Sequence, residues 1–455
     1  MALLGRKEID YYAPLLKKLE EEEPVVAAWR YHIRTNESFN NKHYEQSLKN
    51  KIKSVLFRLK KIQLPQRKQI VFLMTSKSPS ASDSLIPLIT EVISRKEKPY
   101  VVVSSKTENI ELSGVDKIKI NHLSYHFTDF KKLKNLEDKA KELCDCINKV
   151  VNQEHKTDWV WIFEGLLAKE AARFLSGASF VVADSDKESI RKGFFIGTQN
   201  CGIKSTILQH GLFDKLLFPI HSFYHFDWGP YFSKKAAEFG HPLERAVSLG
   251  CPRFDVIENL KSLPKEKNFF DRFNLKSRPV VLAISNVHVY DIFSESVKTF
   301  FENVNLLIDN GVSVIIRRHP AETNKDIYLK FMGEKRIDKC GFADANENLY
   351  EIMRNCDLVY HFASASSIEA MLFGIPVLWQ ENAEGNPFKD IPLLGGGVNV
   401  TSKDIVDVVK ELGKQGNERI KVLERQEGFL SQAVVNRGKA AQKMVDFINM
   451  ERERE

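Results

Sequence analysis

Short, continuous runs of apolar residues recur along this sequence, and polar residues follow most of them at once. A run of four to six β-branched or aromatic residues is typical of a strand buried on both faces, as in a parallel sheet. Such runs stand at 70–74, 100–103, 159–163, 180–183, 205–208, 280–284 and 312–316. Predicted helices at 133–151, 187–198 and 294–310 alternate with them. The alternation predicts repeated βα units and an α/β fold.

The length of the chain sets its domain organisation. A chain of 455 residues is long enough for two or three domains. A polar segment, 261–278, interrupts the βα pattern and divides it into two parts of similar size. The sequence therefore predicts an N-terminal helical extension, two α/β domains and a C-terminal helix, with bounds at 1–63, 64–260, 261–425 and 426–455.

Composition narrows the class of protein. The formal net charge of +7 suits an anionic partner but does not choose between a nucleotide, a membrane surface and a nucleic acid. The six cysteines include no CxxC pair, so we expect reduced thiols and no structural zinc site. The charged N-terminus has no apolar leader segment, and no run approaches the roughly 18 apolar residues of a spanning helix. These features predict a cytoplasmic protein.

Two strand ends in the second half carry groups that can hold an anion. Arg317, Arg318 and His319 directly follow the run 312–316. Ser364, Ser366 and Ser367 precede a helical stretch at 368–373. Ligands of parallel sheets lie beyond the carboxyl ends of the strands, and hydroxyls with free N–H groups at a helix start bind anions. We expect a phosphate-bearing ligand here.

Further residues complete this candidate site. Ser285 and Asn286 follow the run 280–284, so we place them at the same sheet edge. Glu369 either binds ribose hydroxyls or is simply an acid in a first helical turn. Side chains alternate along a strand, so only one of the two arginines should share a face with His319. One arginine could instead pair with Glu322.

The first predicted domain offers two candidate bases. His210 follows the run 205–208 and precedes Gly211, which puts an imidazole with a near-neutral reference pKa at the domain's mouth. Glu164 follows the run 159–163 and precedes a glycine. It is either a general base at a strand end or an acid at a turn or helix start. Arg253 could reach a phosphate or pair with Asp255.

Several common signatures are absent. The sequence has no Walker P-loop, no GxGxxG after a strand, no HExxH and no GxSxG, which disfavours kinases, dehydrogenases, zinc proteases and serine hydrolases. Asp184 and Asp186 could hold a metal, but no third ligand is visible nearby. The three glycines at 395–397 are typical of a flexible turn.

Over roughly residues 69–449 the chain resembles the GT-B glycosyltransferases, which have two Rossmann-like domains facing a cleft. The segment from Ser364 to Leu378 is similar to their nucleotide-binding segment. Gln209-His210-Gly211, the Gly-x-Pro-Arg-Phe-Asp of 250–255 and the Arg-x-His-Pro of 317–320 are similar to bacterial surface-polysaccharide transferases. Those include capsule and lipopolysaccharide enzymes, polysialyltransferase-like enzymes with a His-Pro motif, and teichoic-acid glycerophosphotransferases.

The resemblance implies roles for these residues. His319, with Ser366 and Ser367, would bind the donor phosphate, and His210 would be the base or line the acceptor site. Glu164 matches the Glu-Gly part of an acidic motif, but Phe163 stands where that motif has its preceding acid. The donor would be a nucleotide-activated sugar, with a CMP- or CDP-linked group preferred over UDP and GDP. Neither a metal nor another cofactor would be required.

The implied activity is transfer of the sugar, with inversion, to a hydroxyl of a surface polysaccharide or glycolipid. Two alternatives stay open: a nucleotide-sugar 2-epimerase of the same fold, and a non-catalytic protein that binds nucleotide or polysaccharide. No nucleic-acid partner is implied. A basic amphipathic helix predicted at 44–61 would suit contact with anionic lipid at the inner face of the cytoplasmic membrane, or is simply a solvated face.

Overall fold

The apolar runs form two fully parallel β-sheets in the computed structural model of this chain. The strands are Gln69–Met74 (β1), Tyr100–Val103 (β2), Asp116–Lys119 (β3), Ala178–Ala183 (β4), Ser205–Leu208 (β5), Tyr224–Asp227 (β6), Ala246–Ser248 (β7), Val280–Ile284 (β8), Ser313–Arg317 (β9), Gly341–Ala343 (β10), Leu358–His361 (β11), Val377–Gln380 (β12) and Val398–Val400 (β13). Their spatial orders are β3-β2-β1-β4-β5-β6-β7 and β10-β9-β8-β11-β12-β13. Both place the first strand beside the fourth, as in Rossmann-type sheets, and confirm the predicted α/β class.

Helices connect the strands. They are Arg6–Glu22 (α1), Pro79–Ser94 (α2), Phe130–Val150 (α3), Val160–Ala171 (α4), Ser189–Asn200 (α5), Pro230–Glu238 (α6), Ile257–Lys261 (α7), Phe269–Arg272 (α8), Glu295–Asp309 (α9), Asp326–Met332 (α10), Glu334–Ile337 (α11), Leu349–Met353 (α12), Ser366–Leu372 (α13), Ile405–Leu412 (α14), Asn417–Ala433 (α15) and Ala440–Glu453 (α16). Short 3₁₀ turns add Pro24–Ala28, Ala172–Leu175, Leu243–Arg245 and Pro252–Val256.

The structure describes the greater part of the chain. Its described residues are 6–29, 64–66, 68–75, 79–103, 107, 109–119, 130–151, 158–213, 217–287, 294–319, 322, 326–344, 347–381, 386 and 388–454. The predicted basic helix at 44–61 and the proline at 320 therefore lie outside the described residues.

The described chain forms two compact units. The first comprises Leu3–Arg253 together with Lys439–Glu455, and the second comprises Phe254–Gly438. The sequence placed this division at 260–261 and set 426–455 apart as a terminal helix. In the structure α15 belongs to the second unit, whereas α16 returns to the first. The reason is its apolar stripe, since Met444, Val445 and Ile448 pack into one cluster with α2 and the first sheet.

Each sheet contributes the core of its own unit. In the second unit, the side chains of β8, β9 and β11 pack against α9 and α14 in one buried cluster. In the first unit, a separate cluster joins α1, the Pro24–Ala28 turn, α3 and α4, with Tyr12, Leu16 and Trp29 at its centre. The N-terminal helix is therefore part of the packed first unit.

The strand predicted at 159–163 is wrong. Residues Val160–Ala171 form α4 instead. Apolar periodicity cannot distinguish a buried strand from a helix buried on most of its surface, and α4 is such a helix because α3, α5 and the Pro24–Ala28 turn surround it. Gly165 is not a turn residue either. A Cβ there would lie 2.4 Å from Val25 Cγ1 and 3.0 Å from the Ser189 carbonyl, so glycine permits close packing.

Candidate functional site

In the second unit, the end of β8 joins the two predicted halves of the anion site. Strand β8 lies between β9 and β11, so the residues after it can reach the loops that follow both neighbours. Ser285 Oγ donates to Glu322 Oε1 at 2.8 Å, beside the Arg-x-His turn. Asn286 Nδ2 donates to the Ala363 carbonyl at 2.6 Å, in the serine-rich loop. Ser285 and Asn286 therefore hold the site together.

The basic residues after β9 differ in burial. Arg317 is buried and donates to the Glu347 carbonyl at 2.9 Å, and burial lowers the pKa of its guanidinium. Arg318 is half-buried and His319 is exposed. Arg318 and His319 are therefore the basic residues of this turn that a ligand can reach, while Arg317 supports the turn from inside.

Glu322 places a negative charge next to these basic residues. Its backbone N–H donates to the His319 carbonyl at 2.9 Å. Its carboxylate accepts from Ser285 and, at 2.5 Å, from the Tyr328 hydroxyl. Burial, followed by the charge of Glu322, raises the pKa of Tyr328. The sequence considered Glu322 only as a partner for an arginine, and nothing local in the sequence pointed to its two hydroxyl donors.

The serine loop after β11 is closed by its own hydrogen bonds. Ser364 N–H donates to His361 Nδ1 at 3.1 Å, and Ser366 N–H donates to Ser364 Oγ at 3.3 Å. Ser367 is buried, and its hydroxyl donates to the Ser364 carbonyl at 2.8 Å. Within the described part of the chain, the Ala365 N–H and the Ser366 hydroxyl make no hydrogen bond. These two donors remain for a ligand.

Glu369 lies in the first turn of α13 and is buried. Its Oε1 accepts a hydrogen bond from the Tyr350 hydroxyl at 2.9 Å. A carboxylate can accept several hydrogen bonds, and a ribose hydroxyl is a suitable donor. Its predicted role in binding ribose therefore stays a prediction.

In the first unit, His210 follows β5 as predicted and is partly accessible. Its Nδ1 lies 2.9 Å from the Asp184 carbonyl, just beyond the neighbouring strand β4. A carbonyl can only accept, so Nδ1 carries the proton and the neutral ring keeps its lone pair on Nε2. Burial lowers the pKa of His210 to about 4, and the charge of Lys187 acts in the same direction. The imidazole is therefore a neutral base at physiological pH.

The backbone around His210 is fixed from two sides. Arg253 is buried and donates to the His210 carbonyl at 3.2 Å. On the other side, the indole Nε1 of Trp228 donates to the Gln209 backbone carbonyl at 2.6 Å. The backbone N–H of Trp228 donates to the side-chain Oε1 of Gln209 at 3.0 Å. Arg253 therefore helps to fix the backbone of His210. The two residues are 43 positions apart in the sequence, so no local pattern predicts this contact.

Asp184 and Asp186, the pair considered for a metal, are both paired with cations. Arg191 donates to Asp184 Oδ1 at 2.6 Å, and Lys192 Nζ lies 3.5 Å from Asp186 Oδ2. Asp186 also accepts from the His221 backbone N–H at 2.6 Å. Among the described residues, no three His, Cys, Asp or Glu side chains form a group that could hold a metal ion. The segment 184–186 instead contacts the loop that carries His210 at two points, through the Asp184 carbonyl to His210 and through the Asp186 carboxylate to His221.

Glu164 lies elsewhere than predicted. It is half-buried near the start of α4, not beside the end of a strand. Its neighbour Gly165 packs against Ser189, the first residue of α5. The sequence argument that a strand end aims this carboxylate therefore fails, and a role for Glu164 in the reaction stays a prediction.

Solved structures that superimpose on most of the chain identify its fold. The chain superimposes on a UDP-N-acetylglucosamine 2-epimerase with a TM-score of 0.55 at 11% identity, covering 86% of this chain and 98% of that one. The S. aureus MnaA–UDP structure gives 0.53 at 14% identity, covering 84% and 96%. The chain has the GT-B fold.

The wall teichoic acid polymerase TagF, in a variant soaked with CDPG, gives a TM-score of 0.50 at 13% identity and covers 92% of this chain and 99% of that one. No protein-family model and no curated protein matches the sequence. Within the described residues, no helix is both long and apolar enough to cross a bilayer. At these identities the comparisons show the GT-B fold of the chain, and its activity has to be argued from its own side chains.

Proposed function

We propose that this GT-B protein is a glycosyltransferase that moves a sugar from a nucleotide-activated donor to a hydroxyl of a surface polysaccharide or glycolipid. The observation that carries the proposal is the tautomer of His210. The bond to the Asp184 carbonyl leaves Nε2 unprotonated, and a neutral imidazole can take the proton of an attacking hydroxyl. A protein that only bound nucleotide would have no use for such a base.

The second unit supplies groups for the donor. Arg318 brings positive charge, and the His319 ring, the Ala365 N–H and the Ser366 hydroxyl bring hydrogen-bond donors. Groups of this kind stabilise the charge that develops on a departing phosphate without a metal ion. A CMP- or CDP-linked donor is our first choice because of the motif resemblance, and TagF, one GT-B relative in structure, was soaked with CDPG. UDP, present with MnaA, is the second choice.

The proposed step is a direct displacement. The acceptor oxygen forms a bond to the anomeric carbon of the donor as the bond from that carbon to the phosphate oxygen breaks. The acceptor proton passes to His210 Nε2, and the nucleotide leaves as an anion. Attack from the side opposite to the leaving group inverts the anomeric configuration.

The first experiment is a thermal-shift screen of CMP, CDP, UDP and GDP and their sugars. A ligand that binds only the folded state raises its melting temperature, so the preferred nucleotide identifies the donor class. With that donor, His210→Ala should abolish turnover and leave nucleotide affinity nearly unchanged by calorimetry. His319→Ala should weaken nucleotide binding. Turnover by His210→Ala at near the wild-type rate would remove His210 as the base.

Incubation with donor alone separates the alternatives. A 2-epimerase releases free sugar or isomerised nucleotide-sugar without an acceptor, whereas a transferase needs one. Binding without any turnover, with every acceptor class tested, would favour the non-catalytic alternative. Contact with anionic membrane at its inner face is a further part of the proposal, and co-sedimentation with vesicles containing anionic lipid tests it.

A further inference from the structure

His361, at the end of β11, is a fully buried histidine that the proposed reaction does not use. Its Nδ1 accepts the Ser364 N–H at 3.1 Å. An acceptor nitrogen cannot carry a proton, so the proton of the neutral ring is on Nε2. That Nε2–H is buried and finds no partner in the described part of the chain. One nitrogen is therefore used, and the other is left unsatisfied.

An unsatisfied buried donor destabilises a fold, because it loses its hydrogen bond to water without gaining another. A phenylalanine would fill nearly the same space without this penalty, so the Nδ1 acceptor has to matter to the protein. We propose that His361 is a positioning residue for the donor phosphate, because it holds Ser364 in the conformation that leaves the Ala365 N–H and the Ser366 hydroxyl available. The inference rests on the proposed function, in which this loop binds the donor.

The local hydrogen bonds show how one acceptor can fix the loop. Ser364 is held at its N–H by His361 and at its carbonyl by the N–H and hydroxyl of Ser367. Its hydroxyl oxygen accepts the Ser366 N–H. Every polar group of the Ser364 backbone is thus occupied, and the next N–H along the chain is the one left for a ligand. Without the acceptor on His361, the Ser364 N–H would need another partner, and the loop could turn to find one.

Trp379 holds the imidazole in place. The two rings lie 4.2 Å apart between centroids at an angle of 66°, and the indole Nε1 donates to the Gly396 carbonyl at 2.8 Å. A Cβ on Gly397 would lie 2.8 Å from two atoms of the Trp379 ring. The three glycines at 395–397 therefore form a close support behind Trp379. The glycines lie in a turn, as the sequence predicts, and the structure adds a packing role.

The Ser364 bond also requires a neutral ring, since a second proton would occupy Nδ1. Burial lowers the pKa of His361 to about 3. The acceptor is therefore retained at neutral and mildly acidic pH.

Two amide substitutions test the two nitrogens separately. Asparagine places its Oδ1 near the position of Nδ1, whereas glutamine places its amide near Nε2. We expect His361→Asn to bind the preferred nucleotide within about 3-fold of the wild type. His361→Gln and His361→Phe should bind about 10-fold more weakly, the effect of losing roughly one hydrogen bond. Calorimetry measures the affinities. The donor KM should rise in the same order, with kcat at saturating donor nearly unchanged, which a general loss of stability would not produce.

Amide hydrogen exchange at Ser364 supplies a second readout that needs no ligand. Protection should be lost in His361→Gln and kept in His361→Asn. Equal affinity of wild type, His361→Gln and His361→Phe would overturn the role, and so would equal losses in His361→Asn and His361→Gln. If His361→Phe does not fold, the asparagine–glutamine pair still decides. Failure of the wild type to bind any nucleotide would instead overturn the proposed function along with this role.

Discussion

The Nδ1–H of His210 donates to the Asp184 carbonyl at 2.9 Å, and this single bond decides which ring nitrogen can act as a base. The carbonyl belongs to the residue directly after β4, and His210 follows the adjacent strand β5. Two neighbouring strand ends therefore set the tautomer.

The activity should persist to acidic pH. Protonation of Nε2 would remove the lone pair, and burial lowers the pKa of His210 to about 4 from its usual 6.5. The acid limb of kcat/KM set by this group should therefore lie near pH 4. Lys187→Met removes a charge that lowers this pKa, so the limb should move upward, whereas Lys234→Met at an exposed position should leave it in place. A wild-type limb at 6.5 would contradict the assignment.

Stability should fall on mild acidification. Burial lowers the pKa of His210 and His241 to about 4 and that of His361 to about 3. The unfolded chain binds protons at these histidines below pH 6.5, but the folded chain does not, so stability is full above 6.5 and is lost as pH falls toward 4. The loss is up to about 1.4 kcal/mol per pH unit for each histidine. Urea unfolding between pH 7.5 and 5 measures it.

The matched variant is His241→Asn, which removes a buried histidine and should make the pH dependence shallower. Equal slopes in wild type and His241→Asn would show that this ring does not contribute.

The same glycine-to-alanine change should have opposite effects in two helices. A Cβ on Gly193 in α5 would lie 2.0 Å from the Gly165 carbonyl, so Gly193→Ala should force α5 away from α4 and destabilise the fold by about 1–3 kcal/mol. A Cβ on Gly428 in α15 meets nothing within 4 Å. Gly428→Ala should therefore stabilise the helix by about 0.5–1 kcal/mol. Thermal melts of both variants give the signs, and a stabilising Gly193→Ala would refute the close contact.

Loss of the Asp186 carboxylate should be costly because of Lys192. The ammonium of Lys192 is buried 3.5 Å from Asp186 Oδ2. Removal of one partner of a buried pair typically destabilises by about 3–5 kcal/mol, since it leaves a buried charge uncompensated. We expect Asp186→Ala to destabilise the fold by this amount. The double variant Asp186→Ala/Lys192→Met should be destabilised by less than the sum of the two single variants. Urea unfolding of the cycle measures the coupling, and simple additivity would mean that the pair does not interact.

Central strands could be predicted from sequence, and edge strands could not. β1, β2, β5, β8 and β9 are buried along their full length, and β4 is buried at every position but its second. The strands missed include all four sheet edges, β3, β7, β10 and β13. An edge strand has only one neighbour and is less covered, so β3 and β7 keep much of their surface exposed and carry no apolar run. β6 was missed because its buried positions include His225 and Asp227.

The candidate site also contains residues that the sequence placed correctly and one that it did not. Sequence placed His210, Arg318, His319 and Ser366 after or beside strand ends because polar residues directly follow apolar runs. It aimed Glu164 wrongly because a helix buried on most sides has the same apolar run as a strand.

The sequence by itself determined the α/β class, the βα alternation and the candidate residues at strand ends, because those depend on composition within a few residues. Tertiary structure alone decided that β8 lies between β9 and β11, that the Asp184 carbonyl meets His210, and that His361 holds Ser364. These relations depend on strand order and on which helix covers which face. Such choices come from packing between segments far apart in the chain, and local patterns do not encode them.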